Sequence, residues 1–365
     1  AYRKACCCSH NKQQPNILSI PIYTSKNIVK SASLAYNIHT NPKEVLYKMK
    51  DTKHKILTLA ALTTIAAGVI HLTNRVIVAS SQLKEMLDFS NHNYYNWRFG
   101  KIYYTKKGKG SPLLLIHDTM PGASGYEWSR VEDQLAQEHT VYTLDLLGCG
   151  RSEKAGITYT NFLFVQIICD FIKNVIKEKT DIIASGFSCS FVTTAAAYDK
   201  ESINKIMFIN PVSMISLAQT TTKKDKLFNF FIELPIFGTF IYHIIVSRET
   251  INDFFLDKLY YNPFHVDKDV LDAYYEAAHK GGYYAKCLYS SQSAKYMNIN
   301  IRHAVESIDN SIYIVEGEDE PNGAAIVEAY QKVNPAIESA TIPCSKHFPH
   351  IENVDAFLEQ VGAFF

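Results

Sequence analysis

One long apolar run and a later alternation of short runs organise the hydrophobic positions of this chain. Residues 56–72, from Ile56 to Leu72, contain no Asp, Glu, Lys or Arg, and Val76-Ile77-Val78-Ala79 extend the run beyond Asn74 and Arg75. A membrane-spanning helix needs roughly 20 apolar residues, with a range down to about 17, so the pattern predicts one hydrophobic N-terminal helix within residues 49–85. From about residue 95 the rhythm changes. Lys101–Thr105, Pro112–His117, Val141–Leu144, Asp181–Ala184, Lys205–Ile209, Ile312–Val315 and Ile337–Ile342 are short runs of strand character. Several are apolar at every position, which suits strands buried on both faces of a parallel sheet. Trp128–Gln137, Phe162–Lys177, Ser190–Ala197 and Val354–Phe365 have helical spacing. Strand–helix alternation implies right-handed crossovers and a mostly parallel sheet flanked by helices, an α/β fold. Residues 212–295 break the alternation: they are rich in Phe, Tyr, Ile and Lys, lack a good strand, and are punctuated by Pro235 and Gly238. They read as a helical cap over an active site, or as a separate helical packing domain. No internal repeat is present.

Charge divides the chain further. The net charge is +1, which gives no reason to expect a nucleic-acid partner. Residues 1–48 carry seven Lys/Arg against Glu44 alone, and the first methionine is Met49. This basic segment reads as an unstructured leader upstream of a start at Met49, or as a flexible basic extension. Lys50, Lys53 and Lys55 then precede the apolar run, the order typical of a membrane-directed N-terminus. A single-pass anchor, a cleaved signal peptide and a helix packed on the domain all fit the run. Cleavage is disfavoured because Asn74 and Arg75 interrupt the approach to Val78-Ala79-Ser80. The three lysines, set against Arg75 and Lys84, keep the N-terminus in the cytoplasm and place residues 86–365 outside it. Of the eight cysteines, three form the run Cys6-Cys7-Cys8, and the others (Cys149, Cys169, Cys189, Cys287, Cys344) show no zinc or redox spacing. They read as small buried hydrophobes and free thiols.

The chemistry is concentrated in Gly186-Phe187-Ser188-Cys189-Ser190, which follows a strand and opens a helix. A nucleophile elbow turns sharply under strain, so small residues must stand two before and two after the nucleophile. With Cys189 as nucleophile the flanks are Phe187 and Phe191, and with Ser190 one flank is Val192; both frames are crowded. Ser188, between Gly186 and Ser190, fits. A serine hydroxyl attacks only when a base takes its proton, and His347, in a loop between the last strand and the last helix, is the candidate, with His350 as competitor. Glu320 is the expected acid and Asp319 the alternative, both in Gly317-Glu318-Asp319-Glu320-Pro321. The oxyanion requires two donors, expected from the backbone N–H groups of Cys189 and Thr119.

These landmarks, in this order, resemble capped α/β-hydrolase-fold proteins of the esterase, lipase and peptidase-like group. The matching segments are His117-Asp118, Asp145-Leu-Leu-Gly148-Cys-Gly150-Arg151-Ser152, the turn at Ser188, Gly317-x-x-Glu320-Pro321 and His347. The resemblance covers roughly residues 95–365. It implies an eight-stranded sheet, a Ser–His–acid triad and no cofactor. Three positions depart from the pattern: Asp118 where Gly is usual, Glu320 where Asp is commoner, and Lys346 where a small residue precedes the histidine. The expectation is a membrane-tethered serine hydrolase that cleaves a carboxylic ester, or a thioester or amide, through an acyl-enzyme. The aromatic cap residues Phe228, Phe230, Phe231, Phe237, Phe240 and Tyr242 suggest an apolar acyl or aryl pocket. An aspartate-nucleophile dehalogenase or epoxide hydrolase is disfavoured because the elbow holds serine. The rival reading is a non-catalytic binding or scaffolding module, favoured by Asp118 and Lys346.

Overall fold

A computed structural model of the chain describes residues 42–88 and 93–365. The expected leader at 1–48 falls largely outside these residues, and its last part, from Pro42, is already helical. The chain divides into two units, up to Ala61 and from Leu62 to Phe365. Helix α1 is Pro42–Ser81. Its segment Lys50–Ser81 is long and apolar enough to cross a membrane, and no residue of its most apolar stretch is buried.

In the larger unit, strands β1 (Asn93–Trp97), β2 (Gly100–Lys107) and β3 (Ser111–Ile116) lead to α2 (Glu132–Leu135) and β4 (His139–Leu144). There follow α3 (Asn161–Phe171), β5 (Thr180–Ser185), α4 (Ser188–Tyr198) and β6 (Ile203–Ile209). The cap helices are α5 (Met214–Leu217), α6 (Lys223–Glu233), α7 (Ile236–Ile245), α8 (Arg248–Phe254), α9 (Lys268–His279) and α10 (Lys286–Ser293), with α11 (Arg302–Ser307) leading back to the sheet. The chain closes with β7 (Ile312–Gly317), α12 (Gly323–Val333), β8 (Glu338–Ile342), α13 (Pro349–Glu352) and α14 (Val354–Phe364).

The eight strands form one sheet in the order β1-β2-β4-β3-β5-β6-β7-β8. β1 pairs antiparallel with β2, and β2 with β4; every later pairing is parallel. Both faces are covered, so strand side chains alternate between two cores. Leu114, Ile116, Ile182, Ala184 and Phe208 pack toward Phe164, Ile168 and Phe191 of α3 and α4. Leu113, Leu115, Ile183, Met207 and Val315 face Trp128, Phe357 and Val361. The predicted helix Trp128–Gln137 is shorter than expected: a 3-10 turn, Gly125–Trp128, precedes the four residues of α2. Strand β1 was outside the predicted set, since Asn93-Tyr-Tyr-Asn-Trp97 buries only Trp97.

The part of α1 within the larger unit and the turn that follows it meet the cap. Asn74 Nδ2 donates to the carbonyl of Ile236 at 3.0 Å, and the N–H of Met86 donates to Glu276 Oε2 at 2.7 Å. Lys84 and Arg248 both pair with the buried carboxylate of Asp272. The packed-helix reading therefore describes the end of this segment, while Leu62, Ile65, Val69 and Leu72 stay exposed.

Candidate active site

Loops at the carboxyl ends of β3, β5, β7 and β8 meet at one edge of the sheet, where open α/β folds bind ligands. His117-Asp118-Thr119 leave β3, Gly186-Phe187 join β5 to α4, Glu320 follows β7, and His347 follows β8.

His347 lies between two carboxylates. Its Nδ1 is 3.3 Å from Glu320 Oε1 and its Nε2 is 3.4 Å from Asp118 Oδ2. The ring is 15% exposed. Burial alone would depress its pKa, but hydrogen bonding and charge from Asp118 and Glu320 outweigh burial and raise it to about 10. The ring therefore carries two protons at neutral pH and donates to both carboxylates. Its backbone is fixed from two sides: Asn210 Nδ2 donates to the carbonyls of Lys346 and His347, each at 2.9 Å, and the His347 N–H donates to the Leu259 carbonyl at 3.0 Å.

Asp118 is held more tightly. Its Oδ1 accepts the N–H of Thr119 at 2.6 Å and the N–H of Phe187 at 2.8 Å. Its own N–H donates to Glu127 Oε2 at 3.2 Å. His117 Nε2 accepts the Leu146 N–H at 3.0 Å, so the ring's proton sits on Nδ1, which donates to the Asp118 carbonyl. The next loop is braced by a buried pair, Asp145 with Arg151, at 2.7 and 2.8 Å. Burial pushes the Asp145 carboxyl up, yet the guanidinium overrides it and holds the pKa at about 2.

The turn between β5 and α4 corrects the sequence reading. Gly186, with φ +55°, is the residue of this turn in the left-handed region, and Ser188 already opens α4. The apex is thus two residues earlier than expected. The Ser188 hydroxyl is fully buried and donates to the His117 carbonyl at 2.6 Å, pinning α4 to the end of β3. The Cys189 N–H turns back to the Gly186 carbonyl at 3.4 Å, as a first-turn helix amide does, so it is no partner for Thr119. The amide that converges with Thr119 belongs to Phe187. Elbow chemistry pairs an amide from the β3 loop with that of the residue after the apex, which again marks Gly186. A Cβ built on Gly186 would lie 2.3 Å from Asp118 Cγ and Oδ2, so the Asp118 carboxylate fills the space of an apex side chain.

The remaining expected residues sort by position. Glu320 meets His347, whereas Asp319 is exposed on the same loop. His350 is buried away from the pair, stacked on Trp128 at 4.7 Å with Nε2 3.4 Å from Glu127 Oε1. Lys346 points outward, its ammonium donating to the Asp257 carbonyl at 3.1 Å. Asp118 was visible in sequence only as a departure, and Gly186 and Phe187 were missed. Ala184-Ser185-Gly186-Phe187-Ser188 also has small flanks, but a search for a nucleophile passes over a turn whose apex has no side chain.

An apolar cavity of about 230 Å³ opens at Met120 and Pro121 and is lined further by Ile245, Val246, Phe254 and Tyr289, among others. Of the aromatic residues expected there, Phe228, Phe230, Phe231 and Phe237 are exposed and Phe240 is half-buried, while buried Tyr242 lines the small gap beside Thr119. Among the described residues, no group of three or more His, Cys, Asp or Glu side chains is arranged to hold a metal ion.

Comparison with known proteins agrees with this architecture. A segment of 114 residues is 28% identical to 2-hydroxy-6-oxo-6-(2'-aminophenyl)hexa-2,4-dienoic acid hydrolase of Metapseudomonas resinovorans, covering 31% of this chain and 39% of that protein. Another of 109 residues is 29% identical to a soluble epoxide hydrolase of Corynebacterium sp. (strain C12), covering 30% and 37%. The match thus spans about two fifths of these curated relatives. A crystal structure of a serine hydrolase involved in carbazole degradation superposes with a TM-score of 0.61 at 18% identity, covering 75% of this chain and 98% of that one. The profile of the Alpha/beta hydrolase family matches residues 113–360, and the chain belongs to that family.

Proposed function

We propose that this chain is a hydrolase of small apolar substrates in which His347, oriented by Glu320, is the base that activates water. The observation that carries this reading is the Glu320–His347–Asp118 line, with Thr119 and Phe187 amides converging beside it. Once substrate takes away the Asp118 charge and the ring sheds its Nε2 proton, the carboxylate on Nδ1 fixes the tautomer and steadies the imidazolium that re-forms, which is what a general base requires. Paired amides at a strand–helix turn stabilise negative charge as it forms. The two curated relatives named above are both hydrolases, one of them an epoxide hydrolase, which supports the reaction class without selecting the bond.

Cleavage of a carboxylic ester through an acyl-enzyme on Ser188 is the finer sequence reading. It requires that hydroxyl to leave the His117 carbonyl and rotate toward His347. Residues 56–72 tether the enzyme to a membrane as a single-pass anchor with the catalytic domain outside the cytoplasm. Support comes from the exposed apolar face of α1 and from the lysines preceding it.

Turnover of a panel comprising short and long p-nitrophenyl esters, styrene oxide and 1-bromohexane tests the reading. His347→Ala is expected to lower kcat by about 10⁴- to 10⁶-fold, and Glu320→Gln by about 10²- to 10⁴-fold. Equal turnover by native and His347→Ala chains would remove the base.

A further inference from the structure

We infer that the nucleophile of this hydrolase has moved off the elbow, and that Asp118, reaching from the end of β3 into the space above Gly186, is the group that attacks. The inference rests on the proposed base pair of His347 and Glu320 and adds the identity of the attacking atom and, with it, the substrate class.

Three observations converge on Asp118. The elbow apex, fixed by its positive φ and by the amide that follows it, is a glycine without a side chain. The volume an apex side chain would fill holds the Asp118 carboxylate, 2.3 Å from a Cβ built on Gly186. The two carboxylate oxygens then divide the work. Oδ1 lies in the amide cradle of Thr119 and Phe187, and Oδ2 stands 3.4 Å from Nε2 of the base. Ser188, by contrast, is committed to a carbonyl of β3's loop at 2.6 Å.

A carboxylate in this position selects its electrophile. Attack on an acyl carbon would give a mixed anhydride, less stable than the ester consumed. Attack on an sp³ carbon carrying an anionic leaving group gives an ordinary ester. Asp118 Oδ2 forms a C–O bond as the C–X bond breaks, and X leaves with its electron pair. Esterification removes one of the two negative charges facing His347, so the ring releases its extra proton to bulk water and becomes a base at the moment one is required. His347 then takes a proton from water, and the hydroxide adds to Asp118 Cγ. The tetrahedral oxyanion forms at Oδ1, already between the Thr119 and Phe187 amides. Its collapse breaks the Cγ–Oδ2 bond, His347 protonates the departing alkoxide, and the new carboxyl group hands its proton back to His347, which restores the doubly protonated ring and the Asp118 carboxylate, now with one oxygen from water. The net reaction is R–X plus water to R–OH plus HX. The apolar cavity that begins at Met120, two residues along the chain from Asp118, suits a short alkyl or aryl R group.

The test uses the full chain and 1-bromohexane as probe. In His347→Ala, where hydrolysis stalls, peptide mass spectrometry is expected to find a hexyl ester on Asp118, absent when Asp118→Asn is added. The native chain, in a single turnover in water enriched in heavy oxygen, incorporates that oxygen into Asp118. Asp118→Asn alone lowers turnover by about 10⁴-fold or more. Fluorophosphonate leaves the native chain unlabelled but labels the paired variant Asp118→Gly with Gly186→Ser, which returns a hydroxyl to the apex; this arm stands even where His347→Ala fails to fold. Absence of alkyl ester at Asp118, or labelling of native Ser188 by fluorophosphonate or by p-nitrophenyl butyrate, overturns the inference while leaving the base pair standing. Alkyl ester that forms on Asp118 but turns over equally fast without His347 overturns the base pair instead.

Discussion

His347 carries the electrostatics of the site, and its protonation ties site to stability. Its ordinary pKa is near 6.5, and in the folded chain it rises to about 10 because two carboxylates outweigh burial. A group whose pKa rises on folding contributes stability fully below its unfolded value and loses it as pH climbs to its folded value. The melting-temperature advantage of the native chain over His347→Gln is therefore expected to be greatest below about pH 6.5 and to shrink steadily toward pH 10. A gap that stays constant over this range would show that the ring is not held protonated. Gly186 shows the converse dependence, on the absence of a side chain. With φ +55° and a carboxylate filling its side-chain space, it admits nothing larger while Asp118 is present.

Turns and braces, more than strands, decide how these residues meet. β5 is buried at all six positions and ends where the chain reverses into α4. Thr222 and Asp225 cap α6 reciprocally, so this cap helix begins at a defined residue. The loop after β4 depends on the Asp145–Arg151 pair, whose side chains are 0% and 5% exposed, and Asp145 also accepts the Gly125 N–H at 2.6 Å. Removing one partner of a buried pair strands the other charge, a loss of about 3–5 kcal/mol. Asp145→Ala is expected to destabilise the chain by that amount in thermal or denaturant unfolding. A loss well under 1 kcal/mol would mean that water reaches Arg151.

For the molecule as a unit, the open question is its relation to a membrane. No residue in the most apolar stretch of Lys50–Ser81 is buried, and exposed apolar area of this extent is costly in water. The full chain is expected to stay with vesicles through alkaline carbonate extraction. Replacing Leu59, Leu62 and Ile65 by lysine should release it, because each charge at mid-bilayer costs about 2.5–3.5 kcal/mol on the insertion scale. Release of the native chain by carbonate would reduce α1 to a peripheral contact.

Composition and periodicity alone determined the class of fold, the strands from Lys101 onward, the cap and the apolar helix, because each depends on which side chains avoid water along a local stretch. They also located the loops of Thr119, Glu320 and His347, which follow strands in a regular order. They misjudged the length of the segment after Trp128, where a four-residue helix is set by burial of Trp128 and Glu132 rather than by propensity. Only the tertiary structure decided the elbow. Whether the turn peaks at residue 186 or 188 depends on which backbone amide meets that of Thr119 across 68 residues of chain, a contact with no local signature. The surroundings of Asp118 came from the same convergence, since Phe187 and His347 reach its carboxylate from other parts of the chain.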